Sequence, residues 1–212
     1  MKPRHPAGSK NRDVLKNGIE VIYAFGELKD CDAKRVVFLA GTTAWNSNLC
    51  SDSWRRHFIG EIAQIDIGDK QVALCVPEPK DGCMDGKESR HLIDWETEYL
   101  DKAGIHAYWL NTYWHYDLAV QDCAPEVKRY FSDGKAANIG ITVRSELGAS
   151  FGRYKYGNQS LKLVIGCPAD AQGLAWLYIQ SQLLGIPVYQ QYEKTSAYDQ
   201  KWFDAIVHEM LK

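Results

Sequence analysis

The chain lacks a charge excess of either sign: across 212 residues, 25 Lys and Arg stand against 27 Asp and Glu, a formal charge of -2. It therefore has no general attraction for a nucleic-acid polymer or an anionic membrane surface. It also lacks an apolar run long enough to cross a bilayer, and no apolar segment follows the basic, Pro- and Gly-bearing stretch 1–12 to complete a targeting signal. A cytoplasmic protein with a small-molecule partner is the expectation. The six cysteines, Cys31, Cys50, Cys75, Cys83, Cys123 and Cys167, contain no CxxC and no Cys/His ligand spacing, which fits a reduced setting and gives no sequence ground for a zinc site. His57, His91, His106, His115 and His208 are likewise spaced for neither a metal nor a triad, so satisfied or surface histidines are expected. Gly41-Thr42-Thr43-Ala44-Trp45 is neither a GxGxxG turn nor a Walker loop. No cofactor and no metal is called for, and neither repeat nor low-complexity segment interrupts the chain.

What is present is an ordinary globular composition, 45% hydrophobic and 12% aromatic, enough for one sizeable core. Residues 1–34 read as a tail followed by a hairpin, because Asn17-Gly18 sits between the apolar runs 14–16 and 19–25. Residues 35–212 form the main domain. There short apolar runs alternate with helical patterns, the arrangement of an α/β protein with a doubly wound parallel sheet of about five strands, to which the hairpin adds an edge. Candidate strands are 35–40, 71–76, 105–110, 161–166 and 187–189. Helices are expected from Ser53, from Ser89 to the Gly104 cap, over 170–184, and over 196–211.

The most informative residue is Glu146. Thr142 is a plausible N-cap, which places Glu146 in the first turn of a helix after a strand and a long loop, where the helix dipole favours the ionised carboxylate. A rigid, ionised carboxylate is the group that attacks a sugar anomeric carbon. The bland alternative, a carboxylate that only complements the dipole, is open on this reading alone. In a doubly wound sheet ligands bind beyond the carboxyl ends of the strands. That rule gathers Gly41 and Thr42, Trp45, and the loop 111–140 that starts at Asn111 and carries Tyr113, Trp114 and Tyr116. Such a loop, too long for a plain connection, reads as a lid or binding element. Trp45, Trp109 and the rings of 113–116 are placed to stack on an aromatic ligand, and Arg55, Arg56, Lys128 or Arg129 to hold a phosphate. Arg55 and Arg56 also read as an exposed helix face, and Trp54 and Trp95, at helical spacing, as core.

The ordered blocks Val36-Val37-Phe38-Leu39-Ala40-Gly41, Trp54-Arg55, Ile93-Asp94-Trp95-Glu96, Ala107-Tyr108-Trp109-Leu110, Ile141-Thr142 and Glu146-Leu147-Gly148 resemble the nucleoside 2-deoxyribosyltransferase-like family over about residues 36–166. The resemblance implies a flavodoxin-like sheet, cleavage or transfer at the N-glycosidic bond of a (deoxy)nucleoside or nucleotide, and a homo-oligomer. Glu146 matches the family nucleophile, and Glu96 matches an acidic residue that bonds the nucleobase and passes it a proton. Gly41 and Thr42 match the turn near the sugar. Two positions depart from the pattern: Phe38 stands where a Tyr assists the nucleophile, and Gly140 where an Asp often holds the sugar hydroxyls. Hydrolysis, a nucleotide-binding sensor and an NAD-cleaving effector stay open as alternatives.

Overall fold

The computed structural model describes residues 11–28, 35–42, 53–80, 89–112, 141–157, 160–192 and 196–212. Among these, seven strands form one sheet: β1 (Arg12–Val14), β2 (Glu20–Tyr23), β3 (Val36–Gly41), β4 (Ala73–Val76), β5 (Ile105–Trp109), β6 (Lys162–Pro168) and β7 (Val188–Gln191), in the order β1-β2-β4-β3-β5-β6-β7. β2 through β7 run parallel, and only β1 pairs antiparallel. The main domain contributes five of the seven, in the order β4-β3-β5-β6-β7, which is compatible with a flavodoxin-like sheet. The sheet is larger than the expected five because the N-terminal hairpin joins it outright, β2 lying parallel against β4.

The hairpin is built as its sequence requires. Gly18 has φ +88°, its N–H donates to Leu15 O at 2.9 Å, and the Asn17 amide donates to the Ile62 and Ile65 carbonyls at 2.8 Å each. The turn is thus tied to the end of the first described helix, α1 (Trp54–Ile62). Beyond β2 the chain folds over α2 (Ser89–Lys102): the Gly26 carbonyl accepts from Trp95 Nε1 at 3.0 Å and from the Tyr99 hydroxyl at 2.8 Å. A Cβ at Gly26 would lie 2.6 Å from Asn11 O, so this close approach needs glycine.

Two cores cover the two faces. On one, α2, α3 (Ile141–Tyr156) and α4 (Ala175–Leu184) pack through Leu92, Trp95, Val143, Leu147, Phe151 and Leu177 onto alternate residues of the strands such as Phe38 and Tyr108. On the other, α1 and α5 (Gln200–Leu211) bring Trp54, Phe58, Trp202 and Phe203 against Leu39, Trp109 and Val164. Trp109 and Trp202 stand 5.3 Å apart over Gly166, where a Cβ would meet both rings within 2.7 Å. Trp54 and Trp95 are core, as their spacing predicts.

Two helices start later than the sequence suggests. Gly173 at φ +69° and a turn from Ala171 N to Pro168 O delay α4 to Ala175. For α5 the cap is Asp199, which accepts from Trp202 N at 3.1 Å, whereas the Ser196 hydroxyl is taken up by Gln191 and the Tyr198 carbonyl. No helix among the described residues is long and apolar enough to cross a membrane.

Candidate functional site

α2 and α3 lie side by side and present matching flanks, Ile93, Glu96, Thr97 and Leu100 from one and Thr142, Glu146, Ala149 and Arg153 from the other. Each set follows the three- and four-residue spacing of a single helix face. Between them is a cavity of about 240 Å³. It brings together both carboxylates that the sequence singled out.

Their electrostatics are unusual. Glu96 is only 8% exposed. Burial, and next the nearby Glu146 charge, push its carboxyl up to about 8, against the pull of Arg55. Burial also raises Glu146, and Arg55 again opposes it. Two carboxyl groups that share an apolar cavity hold one proton between them well above the ordinary carboxylate range. Glu146 ionises first and Glu96 keeps the proton.

This corrects one expectation. α3 begins at Ile141, so Thr142 is inside the helix with an exposed side chain and is not its cap, and Glu146 falls in the second turn. The dipole decays within the first turn, and burial therefore wins: the Glu146 carboxyl is raised where the sequence reading had it held down.

Behind the cavity wall lies a hydrogen-bonded chain that sequence reasoning missed. Ser150 Oγ is 2.8 Å from His106 Nδ1 and 2.9 Å from the Tyr108 hydroxyl, and His106 Nε2 is 2.8 Å from the Leu100 carbonyl. Burial lowers His106 to about 4, so it is neutral, and a carbonyl can only accept. Its proton must therefore sit on Nε2. Ser150 donates to Nδ1 and Tyr108 donates to Ser150. The expected satisfied histidine is found in His106, but its partners are invisible in sequence spacing because they lie on other elements, Leu100 on α2 and Ser150 on α3.

Other expected site residues separate. Gly41 and Thr42 stand at the carboxyl end of β3, and both their carbonyls accept from Arg55. Trp109 is corrected: it is 1% exposed on the α1 and α5 face, opposite the carboxylate pair, and is core. Asn111 is exposed just beyond β5. Arg55 is corrected as well, being neither an exposed face nor a phosphate clamp but a fully buried partner of Glu78. Arg56 reaches the Lys80 carbonyl at 3.1 Å. Trp45, Tyr113, Trp114, Tyr116, Lys128 and Arg129 lie outside the described residues.

A larger open groove of about 510 Å³ lies at the other end of the sheet, where β6 and β7 begin, lined by Lys162, Pro187, Lys201, Asp204 and His208 among others. Size favours it; chemistry favours the smaller cavity, which alone of the two holds a perturbed carboxyl pair. Among the described residues no cluster of His, Cys, Asp and Glu could hold a metal ion. Comparison of the sequence with protein-family models finds no match, and none of the curated proteins matches either.

Proposed function

We propose that the α2–α3 cavity is the active site of an enzyme that cleaves or transfers the N-glycosidic bond of a (deoxy)nucleoside or nucleotide. One observation carries the reading: Glu96 and Glu146 face one cavity, with Glu96 raised to about 8. At neutral pH Glu96 is then protonated by roughly ten to one, since each unit is a tenfold ratio, while Glu146 is the first of the pair to ionise. That division supplies an acid for the departing base and a carboxylate for the sugar. Glu96 gives its proton to the nucleobase as the C1′–N bond breaks. Glu146 bonds to C1′ or stabilises the developing oxocarbenium charge, and water or a second base completes the reaction with retention. Water gives hydrolysis and a base gives exchange.

The test is a chromatographic screen of nucleosides, deoxynucleosides, their monophosphates and NAD, each with and without an added free base. Release of base that requires Glu146, and that falls above pH 8 as Glu96 loses its proton, supports the reading. Saturable binding with no bond cleavage across the panel would replace it with a sensor, and nicotinamide release from NAD with an effector of that class.

A further inference from the structure

Between the helix flanks that carry Glu96 and Glu146 lies a cavity of about 240 Å³, so packed side chains do not set the distance between the two carboxyl-bearing faces at that level. One turn further along, the helices are joined. Leu100 follows Glu96 by four residues on α2, Ser150 follows Glu146 by four on α3, and all four line the same cavity. His106, on β5 behind it, bridges the pair: Nε2 donates to the Leu100 carbonyl at 2.8 Å, and Nδ1 accepts from Ser150 Oγ at 2.8 Å. The bridge is closed to solvent, His106 and Ser150 each being 1% exposed. Leu100 stands in the last turn of α2, where helix carbonyls lack an intrahelical partner, so the bond from His106 satisfies a buried acceptor. Arg153 on α3 also reaches Asp101 on α2, but those side chains are 36% and 56% exposed, and such surface pairs contribute little.

We infer that His106 is a positioning residue of the Glu96–Glu146 site: by tying Leu100 of α2 to Ser150 of α3, it sets the spacing of the two helix faces that carry the carboxyl groups. The role in turnover rests on the proposed N-glycosidic reading; the geometric role does not. An imidazole suits the task because its two nitrogens sit apart on a rigid ring and each hydrogen bond is directional, which fixes the span from carbonyl to hydroxyl within narrow limits. An apolar ring of similar size would fill the place but strand a buried carbonyl and hydroxyl. The tie is anchored in the sheet, since His106 lies beside Phe38 of β3 on one side and Leu163 of β6 on the other. Both helices are thereby referred to one point of β5. Tyr108, two residues on, reaches Ser150 but bridges nothing to α2.

The tie can be cut at either end. In His106→Asn the short amide reaches the Nδ1 position and gives up Leu100; in His106→Gln the longer one reaches the Nε2 position and gives up Ser150; Ser150→Ala removes a single oxygen. In protein labelled with carboxyl ¹³C-glutamate, Glu96 is titrated by NMR with and without Glu146→Gln, and the difference between the two titrations reads the interaction of the carboxyl groups, hence their separation. All three cuts should shrink that difference, by about a few tenths of a pH unit for each ångström of added separation. Tyr108→Phe, which removes a buried hydrogen bond but leaves the tie, should keep it. On a nucleoside, the cuts should lower kcat roughly ten- to a hundredfold with KM within about twofold. A difference that shrinks in the cuts and holds in Tyr108→Phe supports the inference. If it is unchanged in the folded cuts, or shrinks as much in Tyr108→Phe, the bridge only braces the core and the inference is overturned; Ser150→Ala decides the matter even where His106 variants do not fold. A difference that responds as expected in a protein that cleaves no nucleoside would sink the proposed function and leave the geometric role standing.

Discussion

Replacing Glu96 by Gln should make the protein more stable and less active at once. The folded carboxyl titrates at about 8 against an ordinary 4.5. A group whose folded value is raised contributes stability that is complete below the unfolded value and is lost as pH rises through the folded one. For Glu96 the window runs from about 4.5 to about 8. At about 1.4 kcal/mol per unit, keeping the buried proton costs roughly 3 kcal/mol at pH 7 and roughly 4 at pH 8. Gln has nearly the same shape and no proton to keep. For a chain of this size each kcal/mol moves the midpoint by about 2–4 °C, so the variant should melt roughly 6–12 °C above wild type at pH 7.

The assay is a set of paired thermal melts from pH 4.5 to 8.5. The gap should be near zero at the acid end and widen steadily, because every other titrating group, His106 included, is common to both proteins. A gap that stays constant across this range would refute the reasoning, since it would show that Glu96 holds no anomalous proton in the folded state. Turnover supplies the second axis. The variant should lose most on natural nucleosides and least on one whose base leaves readily, because only the former needs the proton.

Glu146→Gln should lower turnover on the order of a thousandfold without lowering the melting midpoint, and retention of a tenth of wild-type activity would remove it as the nucleophile. The same variant takes away the charge that helps raise Glu96, so in NMR titration Glu96 should fall below 8. His106, lowered to about 4 from 6.5, makes wild type lose stability as pH falls through that window, by roughly 3 kcal/mol in all; in His106→Gln the change in midpoint between pH 7 and 4 should be correspondingly smaller. Gly26→Ala would set a Cβ 2.6 Å from Asn11 O and 2.9 Å from Tyr23 O, and chemical denaturation should show a loss of about 1–3 kcal/mol.

The alternation of short apolar runs with helical patterns was enough to read the α/β class, and Asn17-Gly18 enough to read the hairpin, because both signals are local. What failed was information carried by facing. Tyr108 and Trp109 are neighbours on a strand buried on both sides, so they point to opposite faces, but nothing in their sequence says which face receives α3. The structure turns Tyr108 toward Ser150 and sends Trp109 into the opposite core. Arg55 was misread for a related reason: it lies among polar residues, and only the strand ends that surround it make burial tolerable. The start of α3 was misplaced by a single residue type. Thr142 has the chemistry of a cap, yet the helix is already under way at Ile141, so Glu146 falls in the second turn, and burial, which no local sequence signal carries, raises its carboxyl.

These departures share a location. Among the described residues the buried charged side chains are Arg55, Glu78 and Glu96, and they come from α1, the end of β4 and α2. A fold that needed only stability would place apolar groups at all three, since each charge must be desolvated and then compensated by a partner brought from another element. Instead Arg55 offsets Glu78 by contact. The remaining half of the argument is that Glu96 is not compensated: it keeps its proton at the expense of folding free energy. A buried carboxyl kept at that cost is what the proposed site requires of Glu96, and it is the feature that Glu96→Gln removes.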